Sequence, residues 1–103
     1  MENKYSYVYI LTNQNNKVMY VGVTSDLVKR MQEHVSGKYL GFTARYNVHK
    51  LVKYEVYTDI RDAIARESQL KNWKRKWKNE LVSKTNPKWN DLNKELHGYN
   101  PVA

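Results

Sequence analysis

The stretch 17-KVMYVGVTSDLVKRMQEH-34 changes its pattern partway through, and that change decides the fold. Residues 18–24 (VMYVGVT) are rich in β-branched and aromatic side chains and predict a strand, although Gly22 sits between Val21 and Val23 where such a strand should be strongest. From Ser25 the period becomes helical. Ser25 suits the N-cap, Asp26 places a carboxylate in the first turn where the helix dipole favours it, and Leu27, Val28, Met31 and Val35 form an apolar stripe. Gly37 is a natural residue to end that helix. Arg30 and His34, four residues apart, stand one above the other on the border of the stripe.

Upstream, residues 5–11 (YSYVYIL) alternate and are joined to the strand above by TNQNNK, so the two runs predict a β-hairpin. Period-2 alternation puts Val8 and Ile10 on one face with Met19, Val21 and Val23. Tyr7, Tyr9, Tyr20 and Gly22 then share the other face, which is aromatic with a gap in it. Downstream, residues 38–50 (KYLGFTARYNVHK) are basic and aromatic without a period and predict a loop, and residues 51–57 (LVKYEVY) predict a third strand. Thr58 or Asp59 then caps a long helix running to about residue 83. On it Ile60, Ile64, Glu67, Lys71, Lys74, Arg75 and Lys78 fall along one broad side, and Leu70, Trp73, Trp77 and Leu81 along a neighbouring side expected to be core. A short helical stretch is expected between about Trp89 and Leu96. There is no internal repeat or linker, so the 103 residues are expected to form one domain.

With 18 Lys and Arg against 10 acidic residues, the formal charge is +8, which favours a polyanionic partner but also describes any very soluble basic surface. The absence of cysteine excludes disulfides and thiolate metal sites. No long apolar run or cleavage-like leader occurs, which points to a cytoplasmic protein that does not enter a membrane.

Taken singly, the polar residues on the helix borders have ordinary explanations. Glu67 precedes Lys71 by four residues, the favourable order for an exposed helical ion pair worth about 0.2 to 0.5 kcal/mol. Arg30 and His34 can be snorkelling or structural side chains. Even so, a carboxylate one turn after Ala63 and Ile64 is partly desolvated and needs a cation, and a divalent metal is one. As a set, Tyr9, Tyr20, Arg30, His34 and Glu67 come from two strands and two helices that could meet on one side of a small sheet. A metal-holding carboxylate, a fixed guanidinium and a hydroxyl that helps to deprotonate water are what phosphodiester cleavage requires.

Those residues stand in order as YVY (Tyr7, Val8, Tyr9), YVG (Tyr20, Val21, Gly22), Arg30 and His34 in DLVKRMQEH, and Glu67 in ARESQLKNW. In this arrangement, over about residues 5 to 90, the chain resembles the GIY-YIG endonucleases, specifically the small stand-alone bacterial proteins made of little more than that domain. The resemblance implies an α+β fold with a three-stranded antiparallel sheet flanked by helices, a core over about residues 5–90, and a short C-terminal helix and tail. It also implies one divalent ion, Mg²⁺ or Mn²⁺, held mainly by Glu67, with Tyr9 or Tyr20 assisting the attacking water and Arg30 stabilising charge on the phosphate. His34 would assist the tyrosines, and Gly22 would leave clearance for metal and phosphate. Tyr7 departs from the family by standing where its first glycine is expected. The family's supporting Asn after the long helix is assigned by position to Asn86, with Asn90 and Asn100 as alternatives.

The implied function is a metal-dependent endonuclease or nickase on DNA in preference to RNA, structure-selective and connected with repair or recombination. The rival is a nucleic-acid-binding module of the same fold without the chemistry, and a third possibility is a protein whose substrate is supplied by a protein partner. Lys38, Arg45, Lys50, Lys71, Lys74, Arg75 and Lys78 are candidates to neutralise phosphates, though a solvated face explains any one of them as well. Phe42 and Tyr46 either stack on an unpaired base or pack in the core. The sequence does not set the oligomeric state.

Overall fold

The computed structural model describes residues 4–36 and 41–96. The expected helix end at Gly37, the phosphate contact at Lys38 and the alternative Asn100 lie outside these residues. Strands β1 (Ser6–Thr12), β2 (Met19–Thr24) and β3 (Lys50–Tyr57) form one antiparallel sheet in the order β2-β1-β3. The fold is α+β, as expected, with β1 central and β2 at an edge.

The hairpin turn is built by its asparagines. The Asn13 carboxamide oxygen accepts from the backbone N–H groups of Lys17 and Val18, both at 2.9 Å, and Asn16 takes the left-handed conformation at φ 62° that asparagine tolerates better than most residues. This fixes a register in which Tyr9 lies opposite Gly22 and Leu11 opposite Tyr20, so the shared aromatic face is real. A register shift follows Ile10: Ile10 pairs with Lys53 and Leu11 with Leu51, leaving Val52 as the extra residue of a β-bulge.

The two faces of the sheet are covered by different helices. Helix α1 (Leu27–Ser36) follows β2 and packs Leu27 and Met31 against Tyr9 and Leu11. It starts one residue later than the sequence suggests. Thr24 Oγ1 accepts from the Asp26 N–H, and the Asp26 carboxylate accepts from the Lys29 N–H at 3.1 Å, so Asp26 does the capping expected of Ser25. Residues 38–50 also contain a single helical turn, α2 (Phe42–Arg45), where a loop was expected. On the opposite face, α3 (Ile60–Asn72) and α4 (Arg75–Thr85) bring Ala63, Leu70 and Val82 against Val8, Ile10, Val21 and Val52. Each large aliphatic buried this way contributes about 1.5 to 3 kcal/mol.

The long helix expected to run to residue 83 is broken. Trp73 and Lys74 are extended, with ψ near 150° (148° and 149°), although neither Gly nor Pro marks the site. The break redirects the chain so that α3 packs over β1 and β2 while α4 reaches β3. It also changes which side chains are core. Ile60 and Ile64 face solvent, and Trp77 is exposed rather than buried, while Trp73 and Leu81 pack against the core as expected. Arg66 holds α3 to β3 through a two-pronged pair with Glu55 at 2.9 and 3.1 Å, and its guanidinium lies over the Trp73 ring. Burial alone would raise the Glu55 pKa, but the Arg66 guanidinium and the Tyr57 hydroxyl more than reverse that and hold it low.

After α4 the expected helical stretch is a 3-10 turn over Leu92–Glu95. No helix among the described residues is long and apolar enough to cross a membrane.

Candidate functional site

Strand β1 supplies Tyr9, β2 supplies Tyr20, and the last turn of α1 supplies His34. Their rings meet on the aromatic face, with centroids 6.2 Å apart for Tyr9 and Tyr20, 5.8 Å for Tyr9 and His34, and 5.9 Å for Tyr20 and His34. Tyr9 is completely buried (0% exposed) and Tyr20 is half-buried, so Tyr20 forms the outer layer of the cluster. Alternation alone places both phenols on this face. Their difference in depth comes from the central and edge positions of their strands.

The Tyr9 hydroxyl is 3.2 Å from His34 Nε2, and His34 Nδ1 is 2.9 Å from Thr43 Oγ1 in α2. Burial, followed by the Arg30 guanidinium and by His49, lowers the His34 pKa from 6.5 to about 4. The imidazole is therefore neutral near pH 7, with one N–H and one lone pair. In the tautomer that donates from Nδ1 to Thr43, Nε2 accepts the Tyr9 O–H and orients that phenol. Thr43 was not legible in the sequence, because the aperiodic segment around it gives no sign of what it bonds.

Gly22 has a more specific role than clearance for metal and phosphate. The space above it is occupied by Tyr9, and a Cβ at position 22 would overlap Cζ and Oη of that phenol. The glycine therefore allows the Tyr9 ring to lie flat across β2 and reach His34.

Arg30 is half-buried, and its Nε lies 3.3 Å from a Glu33 carboxylate oxygen. It lines a small pocket of about 170 Å³ with Thr24, Ser25, Asp26, Lys29 and Glu33 at the start of α1. Glu67 lies on α3, a different element from those that carry the tyrosines and His34. It stands between Ala63 and Leu70, whose side chains pack in the aliphatic cluster, whereas Tyr9 and Tyr20 belong to the aromatic one. Its side chain is 19% exposed and pairs with Lys71 at 3.4 Å, so the predicted helical ion pair is present. The sequence reveals each helix's apolar stripe but not which face of the sheet that stripe covers. Among the described residues no group of three or more His, Cys, Asp or Glu could hold a metal.

Asn86, expected to support catalysis, caps α4 and holds it to the sheet. Its amide nitrogen donates to the carbonyls of Val52 (3.1 Å) and Asn90 (2.9 Å), and its oxygen accepts from the Asn90 N–H (3.1 Å). These bonds all go to backbone, which gives Asn86 a structural role.

The basic residues do not form the single stripe that an unbroken helix would give. Arg75 is tied down: its guanidinium donates to the carbonyls of Asn16 (2.6 Å) and Lys17 (3.0 Å), locking α4 to the hairpin turn. Lys71 pairs with Glu67, and Lys74 lies over the Trp77 ring at 5.7 Å. Lys78 is half-buried, and burial followed by Arg75 lowers its pKa. Arg45 is exposed on α2, and Lys50, five residues later, begins β3.

Comparison with known proteins agrees with this architecture. Residues 5–80 match the GIY-YIG catalytic domain. A UPF0213 protein of Syntrophus aciditrophicus is 40% identical over 83 residues, covering 80% of this chain and 93% of that protein. One from Clostridium perfringens is 33% identical over 92 residues, covering 89% and 98%. The solution structure of the UPF0213 protein BH0048 from Bacillus halodurans superposes with a TM-score of 0.55 at 27% identity, covering 93% of this chain and 99% of that one. None of these names specifies an activity.

Proposed function

The chain belongs to the GIY-YIG catalytic domain family, and from that premise we propose that it is a metal-dependent endonuclease hydrolysing phosphodiester bonds in DNA. The observation that carries this reading is the buried chain Tyr9–His34–Thr43 beneath Tyr20. Keeping a neutral histidine in a core of this size costs desolvation that apolar packing would avoid, and its geometry fixes the Tyr9 phenol beneath Tyr20.

In this reading Tyr20, at the surface of the cluster, meets the attacking water, while Tyr9, held by its hydrogen bond to His34, orients the cluster from inside. Arg30 stabilises charge developing on the phosphate, which requires it to exchange its Glu33 partner for substrate. Glu67 fits a cation that keeps most of its water. It is a single half-buried carboxylate rather than a cage, the donor set that suits Mg²⁺ or Mn²⁺ completed by substrate oxygens. When bound, the ion would neutralise phosphate charge and acidify the attacking water. The proposal extends to a cytoplasmic protein acting on branched, flapped or single-stranded DNA in repair or recombination, with any protein partner serving to deliver substrate.

The rival reading, a binding module without chemistry, draws support from Glu67 being paired with Lys71. The two readings separate when the purified protein is incubated with labelled single-stranded, duplex, flap and branched DNA, and with RNA, in Mg²⁺ or Mn²⁺. The endonuclease reading expects cleavage that falls by about 10² to 10³ in Arg30→Ala and is also lost in Glu67→Ala. Salt-sensitive binding with no cleavage of any substrate would establish the module. Cleavage unchanged in Glu67→Ala would remove the metal role from that residue.

A further inference from the structure

Helix α2 is a single turn, and it joins the tyrosine cluster to the surface. Thr43 is buried and bonds His34, while its neighbour Phe42 and the following Tyr46 are 47% and 44% exposed. The Phe42 ring stacks toward Tyr20 at 6.2 Å and 28°, and its centroid is 4.9 Å from that of Tyr46. The Arg45 guanidinium lies over the Tyr46 ring at 5.6 Å. The result is a row of rings, Tyr9, Tyr20, Phe42 and Tyr46, that starts in the core and ends in solvent with a positive charge at its outer end.

A single exposed aromatic needs no explanation, but a contiguous row that begins at the candidate catalytic phenol does. Its ligand must have a flat π face and carry negative charge, because it would lie between rings and beside a guanidinium on a chain of net charge +8. Unpaired nucleobases on a phosphate backbone meet both requirements. Bases in a duplex do not, since their faces are covered by their neighbours.

We propose that Phe42 and Tyr46 form a stacking platform for unpaired bases next to the phosphodiester that reaches Tyr20, which makes single-stranded DNA the preferred substrate. This rests on the endonuclease reading for its purpose, but it can be tested without cleavage. Fluorescence anisotropy would compare a labelled oligothymidylate, an equally long strand of abasic residues with the same phosphate charge, and a blunt duplex, all at one salt concentration and without divalent metal.

The intact chain is expected to bind the oligothymidylate about tenfold or more tightly than the abasic strand, as expected of one or more stacked bases. Phe42→Ala and Tyr46→Ala should each remove most of that preference while leaving abasic-strand binding unchanged, and Phe42→Trp should retain it. Thermal midpoints of the same variants would show that the fold survives. Equal affinity for the strands with and without bases overturns the platform. So does tighter binding of the duplex, or a loss in the alanine variants that affects all three ligands alike. Adding Mg²⁺ to the same samples separates the two readings. Cleavage without base preference overturns the platform alone, and base preference without cleavage overturns the endonuclease reading alone.

Discussion

On one face of the sheet Val8, Ile10, Val21 and Val52 meet Ala63, Leu70 and Val82, and the charged groups at the margin, Glu55 and Arg66, satisfy each other. On the other face the corresponding layer contains Tyr9 and His34, joined by a hydrogen bond and fully enclosed, beside Leu11, Leu27 and Met31. The first face resembles the core of any small domain. The second accepts a buried hydroxyl and imidazole, which a chain of this length would not include for stability alone. Both faces are buried core, and the difference between them is that only the second carries the polar groups on which the proposed chemistry draws.

If that division holds, Leu70→Ala should cause the largest loss of stability, about 2 to 5 kcal/mol in denaturant unfolding. Tyr9→Phe should cost less, about 1 to 3 kcal/mol for the hydrogen bond lost at His34 Nε2, yet reduce cleavage more than stability explains. Equal losses of stability from the two variants would break the distinction. The next largest effect concerns His34. The unfolded chain protonates this imidazole at its ordinary 6.5, whereas the folded chain resists until about 4. Its contribution is therefore complete above pH 6.5 and drains away as the pH falls toward 4, by up to about 3 kcal/mol. Urea midpoints across that range should fall in the native protein and fall less in His34→Gln.

Gly22→Ala should cost about 1 to 3 kcal/mol through overlap with Tyr9. The penalty should shrink in a Tyr9→Leu background, where the overlapping phenol is gone, and an unchanged penalty would mean that the ring moves aside freely. Arg75→Ala should cost about 1 kcal/mol by releasing the hairpin carbonyls. Lys74→Ala, on an exposed residue, should stay within about 0.5 kcal/mol of the parent.

The strands, their faces, the hairpin and the first helix were legible because each depends on a local period or on turn chemistry. The Tyr9, Tyr20 and His34 grouping followed from the same periods. The break at Trp73–Lys74 was not legible, because it arises from two helices each packing onto the sheet and no residue there is a breaker by type. The same cause took Arg75 out of the basic stripe. Glu67 and its Lys71 partner were legible on their helix, although a stripe does not reveal which face of the sheet it will cover. Phe42 could be read as core or as surface, and only the anchoring of α2 through Thr43 decides between them.

The contact between Gly22 and Tyr9 also bears on how such a protein can change over generations. The glycine on one strand and the phenol on the next fill a single volume, so they make up one inherited character. A lineage that acquires a side chain at position 22 displaces the ring at position 9 and strains its hydrogen bond to His34. Any relative in which one of the pair has drifted and the other has not would have had to rebuild this corner of the sheet.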